Sequence, residues 1–252
     1  MRTIWITGGS SGIGFASAKK FLENNWVVII SSSNIDKLNN AKERMAETTK
    51  VENLHVVKCD ISNKAEVEKT VLFIENEIEK IDIAILNAAA YSPNKNQDFD
   101  LDNYELLIDV NLKGTLYCIN ALKDVMKGRS NTIAIVSSPV GYRGLPTAGA
   151  YGLTKAGLTN LAESLYFDLS KMKINISIIN PGFIKSESTN LNSFPMPFLK
   201  TSNFAANKIY KGLTGRYKFE IFFPWFFLML LKIFRILPYK IYFYLIKKIT
   251  KF

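Results

Sequence analysis

Three residues of this chain have the types and spacing needed to move a proton to or from an oxygen atom: Ser138, Tyr151 and Lys155. Tyr151 and Lys155 stand four apart in the helix-patterned stretch Ala150 to Leu169, so they project from one face, one turn apart. An ammonium beside a phenol stabilises the phenolate, and the pair therefore predicts a lowered tyrosine pKa. An unperturbed tyrosine, with a pKa of about 10, is a poor proton shuttle at neutral pH. Ser138 lies thirteen residues before Tyr151, after the apolar run Ile133 to Val136. A hydroxyl at the carboxyl end of a strand faces the crevice where open α/β sheets bind ligands. Taken alone, the Tyr/Lys pair also fits a solvated helix face.

The elements that must position these groups follow from the hydrophobic pattern. Thr3 to Thr7 reads as a first strand and runs into Thr7-Gly8-Gly9-Ser10-Ser11-Gly12-Ile13-Gly14, after which Phe15 to Glu23 is helix-patterned. Glycines at 8, 12 and 14 allow a tight turn and let backbone N–H groups approach a pyrophosphate at the helix N-terminus. Further strands are expected at Trp26 to Ile30, Leu54 to Lys58, Ile81 to Leu86, Ile133 to Val136, Asn175 to Ile179 and Phe219 to Phe223. The first six alternate with helical segments, which predicts a doubly wound parallel sheet with helices on both faces. A long helix is expected to begin at Tyr104 and to include Asn111, a poor residue for a helix interior. Asp60, after the third strand, fits a helix N-cap with Ser62 and Asn63 nearby.

The triple Ser138, Tyr151, Lys155 and the loop T-G-x-x-x-G-x-G, read together and in this order, resemble the short-chain dehydrogenase/reductase family over residues 3 to 223. The resemblance implies an NAD(P)-dependent oxidoreductase with a Rossmann-type sheet. It makes Tyr151 the proton donor, Ser138 the holder of the substrate oxygen, Lys155 the residue that tunes the tyrosine and binds ribose, and Asn111 the residue that bends its helix and holds a relay water. It places cofactor contacts at Gly8, Ser10, Ser11, Gly12, Ile13 and Gly14. It places further contacts at Ser32 and Ser33 by the adenosine ribose, at Asp60 and Ile61 by the adenine, at Asn87 and Ala88, at Tyr151 and Lys155, and at Pro181, Gly182 and Ile184 by the nicotinamide. Ser32 stands where an NAD-type acid would be and Ser33 where an NADP-type arginine would be. With Lys37 near and no carboxylate to repel a 2′-phosphate, NADP(H) is favoured and NAD stays open. Ala90 and Ser186 replace a common glycine and threonine. Residues 186 to 201 correspond to the substrate lid, and the family often forms homodimers or homotetramers.

Composition narrows the remaining classes. The formal net charge is +10, and residues 208 to 252 hold ten Lys/Arg against one acid, Glu220, so the basic character belongs to the tail. Cys59 and Cys118 lack metal-site spacing and read as buried apolar residues, and no metal is expected. His55, the one histidine, sits in the third strand, far in sequence from Ser138, which argues against a Ser/His hydrolase. The strand-like run begins straight after Met1-Arg2, which leads us to expect no secretory leader and a cytoplasmic site.

Residues 224 to 252 form a second region after the catalytic unit 1 to 223. Eleven aromatics lie between Glu220 and Phe252, and the longest uncharged run, Ile221 to Leu231, is too short to span a bilayer. Two amphipathic helices broken at Pro238 are expected, lying in a membrane interface or covering the substrate cleft. The aliphatic bulk argues against nucleic acid. A bulky apolar substrate fits this tail. A cofactor-binding sensor or a membrane-attached scaffold on the same fold are the other classes to test.

Overall fold

Short runs of aliphatic and β-branched residues, buried along almost their whole length, pair side by side as parallel strands. The computed structural model describes residues 1–92, 99–192 and 194–250. The chain runs β1 (Thr3–Thr7), α1 (Gly12–Leu22), β2 (Val27–Ser32), α2 (Ile35–Ala46), β3 (Leu54–Lys58), α3 (Lys64–Phe73), β4 (Ile83–Leu86) and α4 (Leu101–Leu107). It continues through α5 (Gly114–Met126), β5 (Thr132–Val136), α6 (Gly149–Lys171), β6 (Asn175–Pro181), α7 (Ser202–Thr214), β7 (Glu220–Phe223), α8 (Trp225–Arg235) and α9 (Tyr239–Thr250).

Among the described residues, seven strands form one parallel sheet in the order β3-β2-β1-β4-β5-β6-β7. Alternate residues of each strand feed opposite faces. Ile4, Ile6, Val28 and Ile30 join Phe21, Leu38 and Ile209 in the layer under α1, α2 and α7. Trp5, Ile29 and Ile133 join Val67, Leu122 and Leu158 in the layer under α3, α5 and α6. The expected doubly wound architecture is therefore present. The order of connection reverses between β1 and β4, and ligands of open α/β sheets bind outside the carboxyl ends at such a point.

Element ends differ from the hydrophobic pattern for local reasons. β2 continues past its apolar run because Ser31 is buried, its hydroxyl accepting from the Trp5 indole Nε1 at 3.0 Å. β6 continues through Pro181 because β7 pairs with it there. Helix α1 begins at Gly12, three residues before the amphipathic pattern. The N-cap of α3 is Asn63, whose side chain accepts from Ala65 and Glu66 N–H. Asp60 instead closes a turn by accepting from the Ser62 backbone and hydroxyl.

The tail breaks into two helices at Pro238, as expected, and both dock on loops that flank the sheet's carboxyl edge. Leu228 of α8 and Tyr242 and Ile246 of α9 are buried. The Tyr242 hydroxyl donates to the Gly144 carbonyl at 2.5 Å. Arg143 donates to the Phe234 and Leu237 carbonyls at 2.7 and 2.6 Å, satisfying acceptors that the end of α8 leaves open, and lies 4.0 Å over the Tyr242 ring. Glu220 binds Lys232 of α8 and accepts from Tyr142 at 2.6 Å and Asn180 at 2.8 Å. Burial pushes the Glu220 carboxyl up, but these donors outweigh it and hold the group below its ordinary range. Among the described residues, no helix is long and apolar enough to cross a membrane.

Candidate active site

The glycine loop and the fourth strand meet at the switch point. Thr7, at the end of β1, accepts through its hydroxyl from the backbone N–H groups of Asn87 and Ala88, both at 3.0 Å. Asn87 returns two bonds, from Nδ2 to the Thr7 and Gly8 carbonyls at 3.1 and 3.0 Å. The loop is thus laced to the strand beside it and preformed. Gly14 sits where a Cβ would lie 2.2 Å from the Gly8 carbonyl oxygen, so the first turn of α1 can approach the loop only without a side chain. Ser11 is the N-cap of α1 but makes no side-chain capping bond. The opening N–H groups of α1, with the positive end of its dipole, therefore face outward with Ser10, Ser11, Gly12 and Ile13 half-buried around them. Such a helix N-terminus is able to cradle a phosphate. Gly14→Ala is expected to destabilise the protein by about 1–3 kcal/mol, as overpacking of a tight site does. Thermal melts of the pair check it; an unchanged midpoint would mean that the loop is loose.

The groups expected to react lie at the end of β5 and the start of α6. Ser138 follows β5 and caps a short turn over Pro139–Gly141. Its neighbour Ser137 ties the strand to α6 by donating to the Lys155 carbonyl at 3.0 Å. Tyr151 and Lys155 rise from the first turns of α6, one turn apart, with the ammonium 5.4 Å from the centre of the tyrosine ring. The Lys155 side chain is buried and donates to the Val136 carbonyl at 2.8 Å.

The electrostatics differ from the expectation in sign. Burial pushes the Tyr151 phenol well above the usual tyrosine value, and the neighbouring Tyr91 adds to this; a hydrogen bond with Ser138 works the other way and does not prevail. Lys155 is itself pushed down to about 8 by burial. The spacing did bring the two side chains together. The crowding around them, which spacing does not report, removes the water that would solvate either charge, so both neutral forms gain.

The other expected residues take varied places. Asn111 is buried in a wide, π-type stretch over Ile108–Lys113, between α4 and α5. Its side chain accepts from Ala90 N–H at 2.8 Å and donates to the Ala90 carbonyl at 3.0 Å. It holds the loop after β4 and also donates to the Thr154 hydroxyl at 3.3 Å, while its helix is distorted at this poor helix former. Ser32 and Ser33 lie at the open end of β2, half-buried and exposed, and the Ser32 hydroxyl accepts weakly from Asn34 N–H at 3.3 Å. Ile61 and Ile184 turn their side chains into the core, which leaves only their backbones for a ligand. Pro181 is buried, and the Gly182 N–H is taken by the Phe223 carbonyl at 2.8 Å, so this turn directs the chain towards β7. Ser186 reaches the phosphate loop, 3.5 Å from where a Cβ on Gly12 would stand.

Tyr91 was not legible in the sequence. Its ring meets that of Tyr151 edge-on at 4.8 Å, and its hydroxyl donates to Asn192 Oδ1, in the segment where a lid is expected, at 2.5 Å. Nothing in its local pattern marks it; only the folded chain brings residues 91, 151 and 192 together. His55 lies on β3, four strand positions from β5, or about 19 Å at the usual strand spacing, too far to serve Ser138 as a base. Cys59 and Cys118 are buried free thiols, held above their ordinary pKa by burial.

The family model described as short chain dehydrogenase matches residues 2–194. An uncharacterized oxidoreductase of Staphylococcus aureus (strain N315) is 30% identical over 185 residues, covering 73% of this chain and 78% of the relative. Two solved structures share the fold. A short chain dehydrogenase/reductase from Burkholderia phymatum in complex with NAD has a TM-score of 0.81 at 18% identity, covering 92% of each chain. ElxO with NADP bound has a TM-score of 0.78 at 24% identity, covering 88% of this chain and 97% of its own. With a family match that spans the glycine loop, the reversal point and the Ser138–Tyr151–Lys155 cluster in one unbroken stretch, the chain belongs to the short-chain dehydrogenase/reductase family of oxidoreductases.

Proposed function

We propose that this protein is an NADP(H)-dependent carbonyl reductase or alcohol dehydrogenase for a hydrophobic, lipid-like substrate, with Tyr151 as proton donor. The observation that carries the reading is the Tyr151 phenol, faced by the Ser138 hydroxyl and one turn from the buried Lys155. Gly8, Ser10, Ser11, Gly12, Ile13 and Gly14 would hold a pyrophosphate, and Ser32 and Ser33 a ribose phosphate. Asp60 and Ile61 would meet the adenine, Asn87 and Ala88 the backbone side of a ribose, and Pro181, Gly182 and Ile184 a carboxamide. A nicotinamide dinucleotide held there supplies the hydride that adds to a carbonyl carbon.

The chain's own residues then deal with the oxygen. Ser138 orients it by a hydrogen bond. Tyr151 gives its proton to the oxygen as negative charge develops there. A phenol kept protonated by burial suits this direction, because an alkoxide is a far stronger base than a phenolate. Lys155 holds its place by bonding to Val136, and Asn111 keeps the Ala90 loop fixed beside it. Loss of dihydronicotinamide absorbance over a panel of aldehydes and ketones of increasing chain length tests the proposal. No turnover of any carbonyl by a folded protein that binds the dinucleotide would favour a sensor or scaffold instead.

The choice of NADP(H) rests on the end of β2, which reads Ser31-Ser32-Ser33-Asn34 and has no acid among these four positions. Ser32→Asp is expected to weaken NADPH binding about tenfold or more, by placing a carboxylate near the 2′-phosphate, and to leave NADH binding equal or better. Paired fluorescence titrations read the difference. Equal affinity of the variant for NADPH would overturn the assignment.

The tail supports a peripheral contact with the cytoplasmic face of a membrane. Its helices leave Trp225, Phe226, Ile236 and Tyr239 largely exposed, among lysines and arginines. Exposed Leu116 on α5 and Leu153 and Phe167 on α6 fit self-association through those helices.

A further inference from the structure

We propose that the lid expected over residues 186 to 201 is itself part of the surface that contacts an anionic lipid bilayer. This rests on the membrane reading above and extends it from the tail to the lid over the site.

The first observation is continuity. Phe198, in the lid, is 52% exposed, and its ring centre lies 6.3 Å from that of Phe226 and 5.7 Å from that of Phe227 in α8. Phe183, at the base of the lid, contacts both Phe194 of the lid and Phe227. Lid and tail thus present one apolar surface, on which Phe194, Leu199, Trp225 and Phe226 are also exposed.

The second is the backbone of Phe198. Its φ is +59°, in the left-handed region that a bulky side chain seldom adopts. A folded chain that needed only to bury this ring would use an extended or helical residue. Here the unfavourable conformation turns an aromatic ring outward beside another exposed aromatic, Phe226, where water gives it no return.

The third is charge. From residue 221 to the end the chain has six Lys/Arg and no Asp or Glu. A second copy of the chain seated on this face would bring like charges together. Anionic headgroups complement the cations, and acyl chains take the aromatics.

The inner side of the same lid reaches the chemistry. Asn192 accepts from the Tyr91 hydroxyl, and the Tyr91 ring meets the Tyr151 ring edge-on.

The full-length protein carries its own reporter. Trp5 and Trp26 are buried, whereas Trp225 is 64% exposed, so a vesicle-induced blue shift in emission reports Trp225. Vesicles of phosphatidylcholine mixed equally with phosphatidylglycerol are expected to give this shift; phosphatidylcholine alone gives little, and W225F removes it. In F198N, vesicle affinity is expected to fall about tenfold, the loss that fits removal of one aromatic ring from lipid. Asparagine tolerates the left-handed backbone, so F198N should keep the wild-type melting point. As a second measurement, the emission of F198W in a W225F background should be quenched by lipids brominated on their acyl chains. Full affinity in F198N, or an unquenched F198W, would overturn the lid's part while leaving the tail bound to membrane. No shift with any vesicle would overturn both readings and leave NADPH-dependent reduction untouched.

Discussion

Tyr151→Phe will lower turnover of any carbonyl that the wild type reduces by about 10²–10⁴-fold, the usual contribution of a positioned proton donor. The variant removes one oxygen and little else. The ring keeps its edge-on contact with Tyr91 and its place under the Lys155 ammonium. The melting point should therefore stay close to the wild type, and dinucleotide binding should weaken only by the loss of the phenol's own contact, since the glycine loop is held by Thr7 and Asn87. That combination separates loss of a proton donor from loss of structure: kcat falls, the fold and the cofactor site remain. A variant with wild-type kcat would remove Tyr151 from the chemistry. Ser138→Ala makes a useful companion, because Ser138 is the side chain that faces the phenol and opposes the upward push on its pKa. Its loss should lower activity less than the loss of Tyr151, since it orients the oxygen without supplying the proton.

Much of this site is legible in the sequence because its parts are local. The glycine loop follows directly from β1, and Tyr151 and Lys155 share one helix, so their relation is set by helical geometry alone. The alternation of apolar runs with helical segments pointed to the doubly wound parallel sheet, while the order of its strands came from the folded chain. What could not be read is long-range. Tyr91 meets Tyr151 across 60 positions of chain, and Arg143 ties the loop before α6 to the end of α8 across some 90. Glu220 gathers Tyr142, Asn180 and Lys232 from three elements. None of these residues belongs to a local pattern. Asn111 is an intermediate case: its poor helix propensity signalled a distortion, and a π-type stretch is there, but that its side chain would hold the Ala90 loop depends on where β4 ends. The upward shift of the Tyr151 phenol is hidden from the sequence for a related reason. Spacing reports which charges are neighbours, whereas desolvation depends on everything packed around them.

The same burial gives Lys155→Met two opposite effects. Turnover should collapse with the loss of the ammonium beside Tyr151, while the folded protein becomes more stable at neutral pH. Lys155 has a folded pKa of about 8 against an ordinary 10.5, with burial as the cause. Below about pH 8 both folded and unfolded chains hold the proton, and the folded state carries the full cost of the buried charge. Between about 8 and 10.5 the unfolded chain binds more protons than the folded one, so unfolding free energy rises with pH and the cost is progressively relieved. The interval between those values corresponds to roughly 3 kcal/mol. Methionine removes that cost with a side chain of similar length, but the Val136 carbonyl loses a donor, which takes back about 1 kcal/mol. A net gain of about 2 kcal/mol should raise the melting point by about 4–8 °C at pH 7 in a chain of this size. The gap between variant and wild type should narrow as pH approaches 10, because only the wild type has a lysine to deprotonate. A variant that melts below the wild type at pH 7 would mean that the ammonium stabilises the fold through its bond to Val136. The site would then carry no stored cost of charge burial, and Lys155 would be a structural residue that also serves the reaction.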